Sequence, residues 1–456
     1  MKNGKRIEEK IINFVKKYDL VKKNQKILIA LSGGPDSVFA LNFFRKFQKK
    51  YQIQISAIHI NHQLRGKESD EDQLFCRKLC ERLNIDFYSQ LVNVKEYSEK
   101  EKKSIEEAAR ELRYKSLNKV AGEIKADKIV TAHNKNDNAE TILLNLFKGT
   151  GIAGLKGIPI SRENLIRPIL IVTRDEVLEY LHLHNLEYRI DSSNENTDFE
   201  RNYIRNKIIP LIKEKINPAL ENTIFHNSEI IRSTQANLKL FVGELIKEYV
   251  TVNKDITEIN LQVVKKYGHE ILGDLLLEIS NKYFPKTFNF LDIEKVRNLI
   301  SKQTGKSEFI TSNIEVFRER NSLVLKKTGK NIFEPIILKV GVHISIGKLK
   351  FSIKKADKVN LSFNKNNKIE YISADDLSDK FILRKWEPGD KFIPLGLNHF
   401  KKISDFLSEE KIHSFQKKSQ LVLLNNERII YVVGKRIDNR VKITEDTKEI
   451  YALCLN

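Results

Sequence analysis

The chain has 456 residues, 41% hydrophobic and 31% charged, enough at roughly 100–200 residues per domain for two to four domains with sizeable cores. Its 80 Lys and Arg outnumber 60 Asp and Glu, a formal net charge of +20 that suits a polyanionic partner, above all nucleic acid, and equally fits lysines spread over solvated faces. No apolar run approaches the roughly 20 residues of a membrane span, and the charged opening MKNGKRIEEK has no apolar signal core, so a cytoplasmic protein with no membrane partner is expected.

Residues 5–20 have the spacing of an amphipathic helix, with Ile7, Ile11, Phe14, Val15 and Tyr18 on one side. Strand-like and helix-like stretches then alternate. KILIAL (26–31), IQISAIHI (53–60), DFYSQLV (86–92), ADKIVTAH (126–133) and NLIRPIL (164–170) read as strands. Residues 36–47, 68–83, 104–122, 137–147 and 173–185 read as helices, the last with Thr173 as its N-cap. Cys76 and Cys80 lie one turn apart on the second of these. With Cys454 they are too few for a closed disulfide framework, no C-x-x-C pair is present, and they read as ordinary helix cysteines. Such alternation predicts an α/β domain with a parallel sheet covered on both faces, whose ligands bind at the carboxyl ends of the strands. From about Asn217 the pattern turns mostly helical to about residue 335, with a hairpin near Glu319–Ser322. The remainder is strand-rich with a break at Pro388-Gly389, a small α+β domain. No repeat is visible.

The first strand stops at Ser-Gly-Gly-Pro-Asp-Ser, residues 32–37, and a helix follows. A glycine-rich strand-to-helix turn exposes backbone N–H groups at the positive end of a helix dipole, which favours phosphate. Gly33 and Gly34 permit positive φ and close ligand approach, and Pro35 suits the first turn, where its missing N–H costs nothing. Ser32 and Ser37 can donate hydroxyls. Asp36 would repel phosphate unless Mg²⁺ lies between them. The G-x-x-x-x-G-K-[ST] pattern is absent: Gly305-Lys306-Ser307 has Ile300 where the first glycine belongs.

SGGPDS after a buried strand resembles the pyrophosphatase loop of the N-type ATP pyrophosphatases, which split ATP into AMP and pyrophosphate. HINHQLRG (59–66), EEAARELRY (106–114), TAHNKNDNAETILLNLFKGTGIAGLKGI (131–158) and DSSNENTDFERNYIRNKIIPLI (191–212) are similar, in order, to segments of the tRNA(Ile)-lysidine synthetase family. ILRKWEPGDKFIPLGLNHFKKISDFLSEEKI (382–412) resembles that family's C-terminal tRNA-binding domain. Two departures stand out. The family pattern has Asp-Asp where this chain has Asn136-Asp137, so the carboxylate role falls on Asp137. HSFQKKSQ (413–420) replaces a Pro-Arg-rich continuation.

The resemblance implies a Rossmann-like ATP pyrophosphatase domain over 1–215, a mostly helical substrate- and tRNA-binding domain over 216–335 and a C-terminal tRNA-binding domain over 336–456. It implies a ligase that adenylates the wobble cytidine of a minor isoleucine tRNA with anticodon CAU, then joins L-lysine, releasing AMP and pyrophosphate. ATP would lie on Ser32, Gly33, Gly34, Pro35, Asp36 and Ser37, bordered by His59 and His133, with Asp36 holding Mg²⁺. Arg113 would steady phosphate, and Asp137 and Glu140 would take lysine and join Asp36 and Arg113 as the catalytic set. Arg201, Arg205, Lys401 and Lys402 would contact tRNA, and a homodimer fits the family. From the residues alone, Asp137 and Glu140 fit an acidic first helical turn as well as a site. Arg201 and Arg205 fit a solvated face, and His133 a strand-end hydrogen bonder. Trp386, Phe392, Phe400 and Phe406 fit a small core under a basic surface, or base stacking. Two other functions stand beside this one: another tRNA-acting ATP pyrophosphatase such as a thiolation enzyme, and a non-catalytic basic RNA-binding protein.

Overall fold

Alternation of Ile27 and Ile29 against Leu28 puts side chains on both faces of one strand, and the architecture grows from that strand. The computed structural model describes residues 2–64, 66–190, 200–311, 313–328, 333–346, 349–358 and 368–455. They fall into two compact units, Met1–Asn237 and Leu238–Asn456.

The first unit runs α1 (Lys2–Lys17), β1 (Lys26–Ala30), α2 (Pro35–Tyr51), β2 (Gln54–Asn61), α3 (Lys67–Leu83), β3 (Asp86–Leu91), α4 (Val94–Glu101), α5 (Ile105–Glu123), β4 (Lys128–Val130), α6 (Lys135–Phe147), α7 (Gly151–Leu155), β5 (Ser161–Arg162), β6 (Leu165–Ile166), α8 (Arg174–Leu183), α9 (Glu200–Tyr203), a π-helical turn (Ile204–Ile208), α10 (Ile209–Lys215) and α11 (Leu220–Tyr249), which continues into the second unit. The sheet order is β3-β2-β1-β4-β6-β5, parallel throughout except for the β5–β6 hairpin. On one face Ile27 and Ile29 pack with α1, α2, α3 and α8. On the other, Leu28, Ile58 and Ile129 pack with Leu117 and Val120 of α5. Chain order reverses between β1 and β4, and the crevice at their carboxyl ends is where an open parallel sheet binds ligands. Thr173 caps α8 as expected, its hydroxyl accepting from the Glu176 N–H.

The second unit opens with an antiparallel sheet of order β7-β8-β11-β10-β9, from β7 (Val250–Asn253), β8 (Ile256–Asn260), β9 (Ser307–Thr311), β10 (Ile314–Arg318) and β11 (Ser322–Lys327). The β10–β11 turn is the expected hairpin. Helices Gln262–Tyr267, Ile271–Tyr283 and Phe290–Ile300 cover the face bearing Val316, Leu323 and Leu325. A five-stranded and a four-stranded antiparallel sheet follow, enclosing a core around Phe351, Phe381, Leu423 and Leu453. The opposite face of the β7–β11 sheet presents Phe317 and Val324, which receive Phe415.

Candidate active site

β1 ends at Ala30, and Leu31 still donates its N–H to the Ile58 carbonyl at 2.8 Å, so the turn starts from a fixed frame. Gly33 has φ +88°, which glycine adopts at no steric cost. Gly34 is the N-cap of α2 and Pro35 its first residue; among the described residues no side chain caps this N-terminus. The α2 N–H groups thus present the bare positive end of a seventeen-residue helix. The Ser32 and Ser37 hydroxyls lie 3.2 Å apart, and the Ser37 hydroxyl donates to the Gly34 carbonyl at 2.9 Å. His59, buried on β2, has Nδ1 2.9 Å from the Leu31 carbonyl; a carbonyl only accepts, so Nδ1 carries the proton.

Across the crevice, β4 leads into Thr131–Asn134. Asn134 caps α6 in a reciprocal box with Asp137: its Oδ1 accepts the Asp137 N–H at 3.0 Å, and Asp137 Oδ2 accepts the Asn134 N–H at 3.0 Å. The Asn134 amide then reaches over to donate to Asp36 Oδ1 at 2.9 Å. This bond ties the two lips of the crevice together at the point of chain reversal. Asp36 is pushed up to about 6, first by desolvation and then by the negative charge of Asp137, against the Asn134 hydrogen bond. His133 lies well below the ordinary histidine range, through desolvation and then the charges of Arg167, Arg201, Arg113 and Arg110; it is neutral at pH 7. Desolvation also lowers Arg113, helped by Arg110 and Arg201, although its side chain reaches solvent. Four guanidiniums, those of Arg110, Arg113, Arg167 and Arg201, thus act on His133.

Asp137 and Glu140 share a face of α6, as their spacing predicts, and both are held by the two arginines from the 200–208 segment. Arg201 donates Nε to Glu140 Oε2 at 2.8 Å and Nη2 to Asp137 Oδ1 at 3.0 Å. Arg205 donates Nε to Glu140 Oε1 at 2.6 Å and Nη2 to Asp137 Oδ1 at 3.2 Å. Residues assigned from sequence to two different ligands therefore form one cluster of two carboxylates and two guanidiniums, with the Glu140 side chain 1% exposed. Arg65 and residues 191–199, which belong to two of the quoted motifs, lie outside the described residues.

Asn136 has a structural account. Its amide donates to Glu221 Oε1 at 3.1 Å, and its carbonyl accepts the Arg174 N–H, the first of α8, at 3.0 Å. A carboxylate at 136 would face the Glu221 carboxylate. Asn136→Asp is expected to destabilise the protein by about 1–2 kcal/mol at pH 7 and far less at pH 4, where carboxylates begin to protonate; urea unfolding at the two pH values checks this.

In the second unit, Arg384 and Asp390 of the R-x-x-x-x-G-D stretch form a bidentate pair with both contacts at 2.8 Å, bracing the turn at Pro388-Gly389. Phe392 and Phe406 are core residues, and Trp386 donates its Nε1 hydrogen to the Lys417 carbonyl at 2.6 Å. Phe400 is exposed between Lys391 and Arg440, 5.0 Å and 5.2 Å from its ring centre. Lys401 pairs with Glu409, and Lys402 is exposed. The departing HSFQKKSQ stretch docks on the β7–β11 sheet. Phe415 fills the gap over Phe317 and Val324, Ser414 donates its N–H to Glu319 at 2.6 Å, and Lys418 reaches Glu315 at 2.5 Å. Lys418 is thus engaged within the protein.

Three groups at the crevice were not singled out from the sequence. Asn134 carried the signal of a polar residue three before an acid at a helix start. Arg167 is 3% exposed, bonding the Pro159 carbonyl at 2.6 Å and the Tyr114 hydroxyl at 3.4 Å. A charge inside the apolar run NLIRPIL was its signal. Arg174 carried none.

A parallel sheet with an uncapped glycine-rich helix start at its chain reversal defines a nucleotide-binding domain of the PP-loop class, and residues 3–212 match the PP-loop domain family. Residues 381–454 match the TilS substrate C-terminal domain. The chain is 33% identical to the tRNA(Ile)-lysidine synthase of Clostridioides difficile, covering 99% of each chain. It is 34% identical to that of Clostridium perfringens, covering 97% of this chain and 98% of the relative. For Caldanaerobacter subterraneus the identity is 30%, with 98% and 97% covered. The chain belongs to the tRNA(Ile)-lysidine synthase family.

Proposed function

We propose that this chain is a tRNA-modifying ligase. It uses ATP to adenylate the wobble cytidine of a minor isoleucine tRNA bearing CAU, then joins L-lysine to give lysidine, AMP and pyrophosphate. The observation that carries the chemistry is the Asn134–Asp36 bond across the crevice, which sets an acid at the mouth of an uncapped helix start. The cytidine carbonyl oxygen attacks the α-phosphate, and pyrophosphate leaves onto the N–H groups and hydroxyls of residues 32–37. Arg113 and its neighbouring guanidiniums offset charge as the bond breaks, and neutral His133 serves as a hydrogen-bonding group. No strong protein nucleophile is needed; orientation supplies most of the rate.

Mg²⁺ fits Asp36. Among the described residues no set of three acid, His or Cys side chains forms a cage, and magnesium favours one or two carboxylates plus substrate phosphates. Desolvation and, after it, the charge of Asp137 disfavour the Asp36 carboxylate, and a cation there would offset both. Bound there, the ion would neutralise phosphate charge. Lysine capture falls on Asp137 and Glu140: its ammonium replaces a guanidinium partner, and the freed Arg201 or Arg205 turns to tRNA phosphate. Lys401 and Lys402 extend the tRNA contact from the C-terminal part. The functional division is 1–215 catalytic, 216–335 substrate- and tRNA-binding and 336–456 tRNA-binding, in a cytoplasmic homodimer. Thiolation is disfavoured because Cys76 and Cys80 are buried, with burial pushing both thiols up, Cys80 to about 12.

Pyrophosphate release and lysine incorporation, assayed with ATP, L-lysine and a CAU isoleucine tRNA transcript, test the proposal. Release is expected only with the transcript, and one lysine enters each tRNA. Release without tRNA, or tRNA binding with no release, would remove the assignment.

A further inference from the structure

Two adjacent glycines make the 32–37 turn easy to shape and equally easy to misshape. The Gly33–Gly34 peptide can rotate at little steric cost, because neither residue has a Cβ to oppose it. In a trans peptide the C=O and N–H point in opposite directions. If this unit flips, the Gly34 N–H leaves the anion side and a carbonyl oxygen takes its place, turning attraction for phosphate into repulsion. Something outside the turn must hold the peptide.

That hold comes from Arg189. Its backbone N–H donates to the Gly33 carbonyl at 2.9 Å. With the carbonyl so fixed, the Gly34 N–H points the other way, toward Ser32 Oγ at 3.4 Å. The Arg189 backbone is itself fixed through its side chain, Nε to Asp72 Oδ1 at 3.0 Å and Nη2 to Glu71 Oε2 at 2.9 Å, both on α3. The same helix backs Gly33 directly: a Cβ on Gly33 would lie 3.4 Å from Cys76 Sγ and from Phe75, and 3.7 Å from Arg189 Cγ. We infer that Arg189, braced by Asp72 and Glu71, is a positioning residue that sets the Gly33–Gly34 peptide for phosphate. It acts through Gly33 and touches no substrate. The inference rests on the 32–37 turn holding the triphosphate.

The test uses the full-length protein, with steady-state pyrophosphate release on the CAU transcript. Arg189→Ala is expected to raise KM for ATP by about 3- to 10-fold, the partial loss of one charge-directed hydrogen bond. KM for lysine and kcat are expected to stay within twofold. Arg189 is 39% exposed, and exposed ion pairs add little stability, so Tm should move by no more than about 2 °C. Asp72→Asn should shift KM for ATP in the same direction, and the double variant should be no worse than the worse single one, since both act through one brace. Arg189→Lys, which keeps an ion pair to Asp72, should recover most of the affinity. If Arg189→Ala does not fold, Asp72→Asn decides alone. An unchanged KM for ATP in both single variants overturns the inference, as does a joint loss of kcat and of both substrate affinities with a lowered Tm. Ser37→Ala separates the two levels. If it weakens ATP while Arg189→Ala does not, only the brace is wrong; if neither matters, the turn is not the phosphate site.

Discussion

Asp36→Asn is expected to lower pyrophosphate release by about 10²–10³-fold and to make the ligand-free protein more stable. The two effects share a cause. Asp36 titrates near 6 in the folded protein against 3.8 for the unperturbed group, so the fold disfavours its charged form. Well below pH 3.8 both states hold the proton and the carboxyl contributes nothing. Between about 4 and 6 the unfolded chain releases the proton while the folded one keeps it, and stability falls as pH rises. Above 6 the penalty is complete. An Asn side chain has no charge to desolvate and still accepts from Asn134. The variant should therefore gain about 1–3 kcal/mol at pH 7.5, measured by urea unfolding in chelator, and no more than about 0.5 kcal/mol at pH 4. Equal gains at the two pH values would mean that the carboxylate carries no such strain.

Glu140→Gln has the opposite sign. Glu140 accepts three hydrogen bonds from Arg201 and Arg205, and its side chain is 1% exposed. Removing its charge leaves two guanidiniums facing Asp137 alone. Because those arginines are 33% and 23% exposed, water softens the loss, and about 2–3 kcal/mol of stability should go. KM for lysine should rise by about 10²-fold, the value of one buried charge pair to an ammonium. The double variant Glu140→Gln/Arg205→Gln tells stability from capture: it should recover part of the stability, since a guanidinium without a partner is gone, and none of the lysine affinity. Recovery of both would leave Glu140 as a mere partner of Arg205.

The parallel sheet was readable because its strands are continuous apolar runs, and the helices because their apolar residues recur with a helical period. α4, VKEYSEKE, escaped because it is polar on nearly every side. NLIRPIL promised seven strand residues and yields only Leu165–Ile166: Arg167 still donates its N–H to the Ile160 carbonyl at 3.0 Å, but Pro168 has no N–H to carry the ladder further. The β7–β11 sheet was read only at its β10–β11 hairpin, since VTVN and ITEIN are too short and too polar to announce strands. At the crevice the loop chemistry of residues 32–37 was local and therefore legible. The Asn134–Asp36 bond spans 98 positions and the Arg205–Glu140 pair 65, and composition carries no trace of contacts at that range. The docking of Phe415 on Phe317 was hidden for the same reason, so the departing HSFQKKSQ stretch concealed an apolar plug.

A crystal of the full-length protein soaked with a non-hydrolysable ATP analogue and Mg²⁺ puts the whole assignment at stake. The phosphates are expected against the N–H groups and hydroxyls of residues 32–37, with the metal between them and Asp36. A triphosphate seated elsewhere on the chain, with those groups still facing water, would refute it.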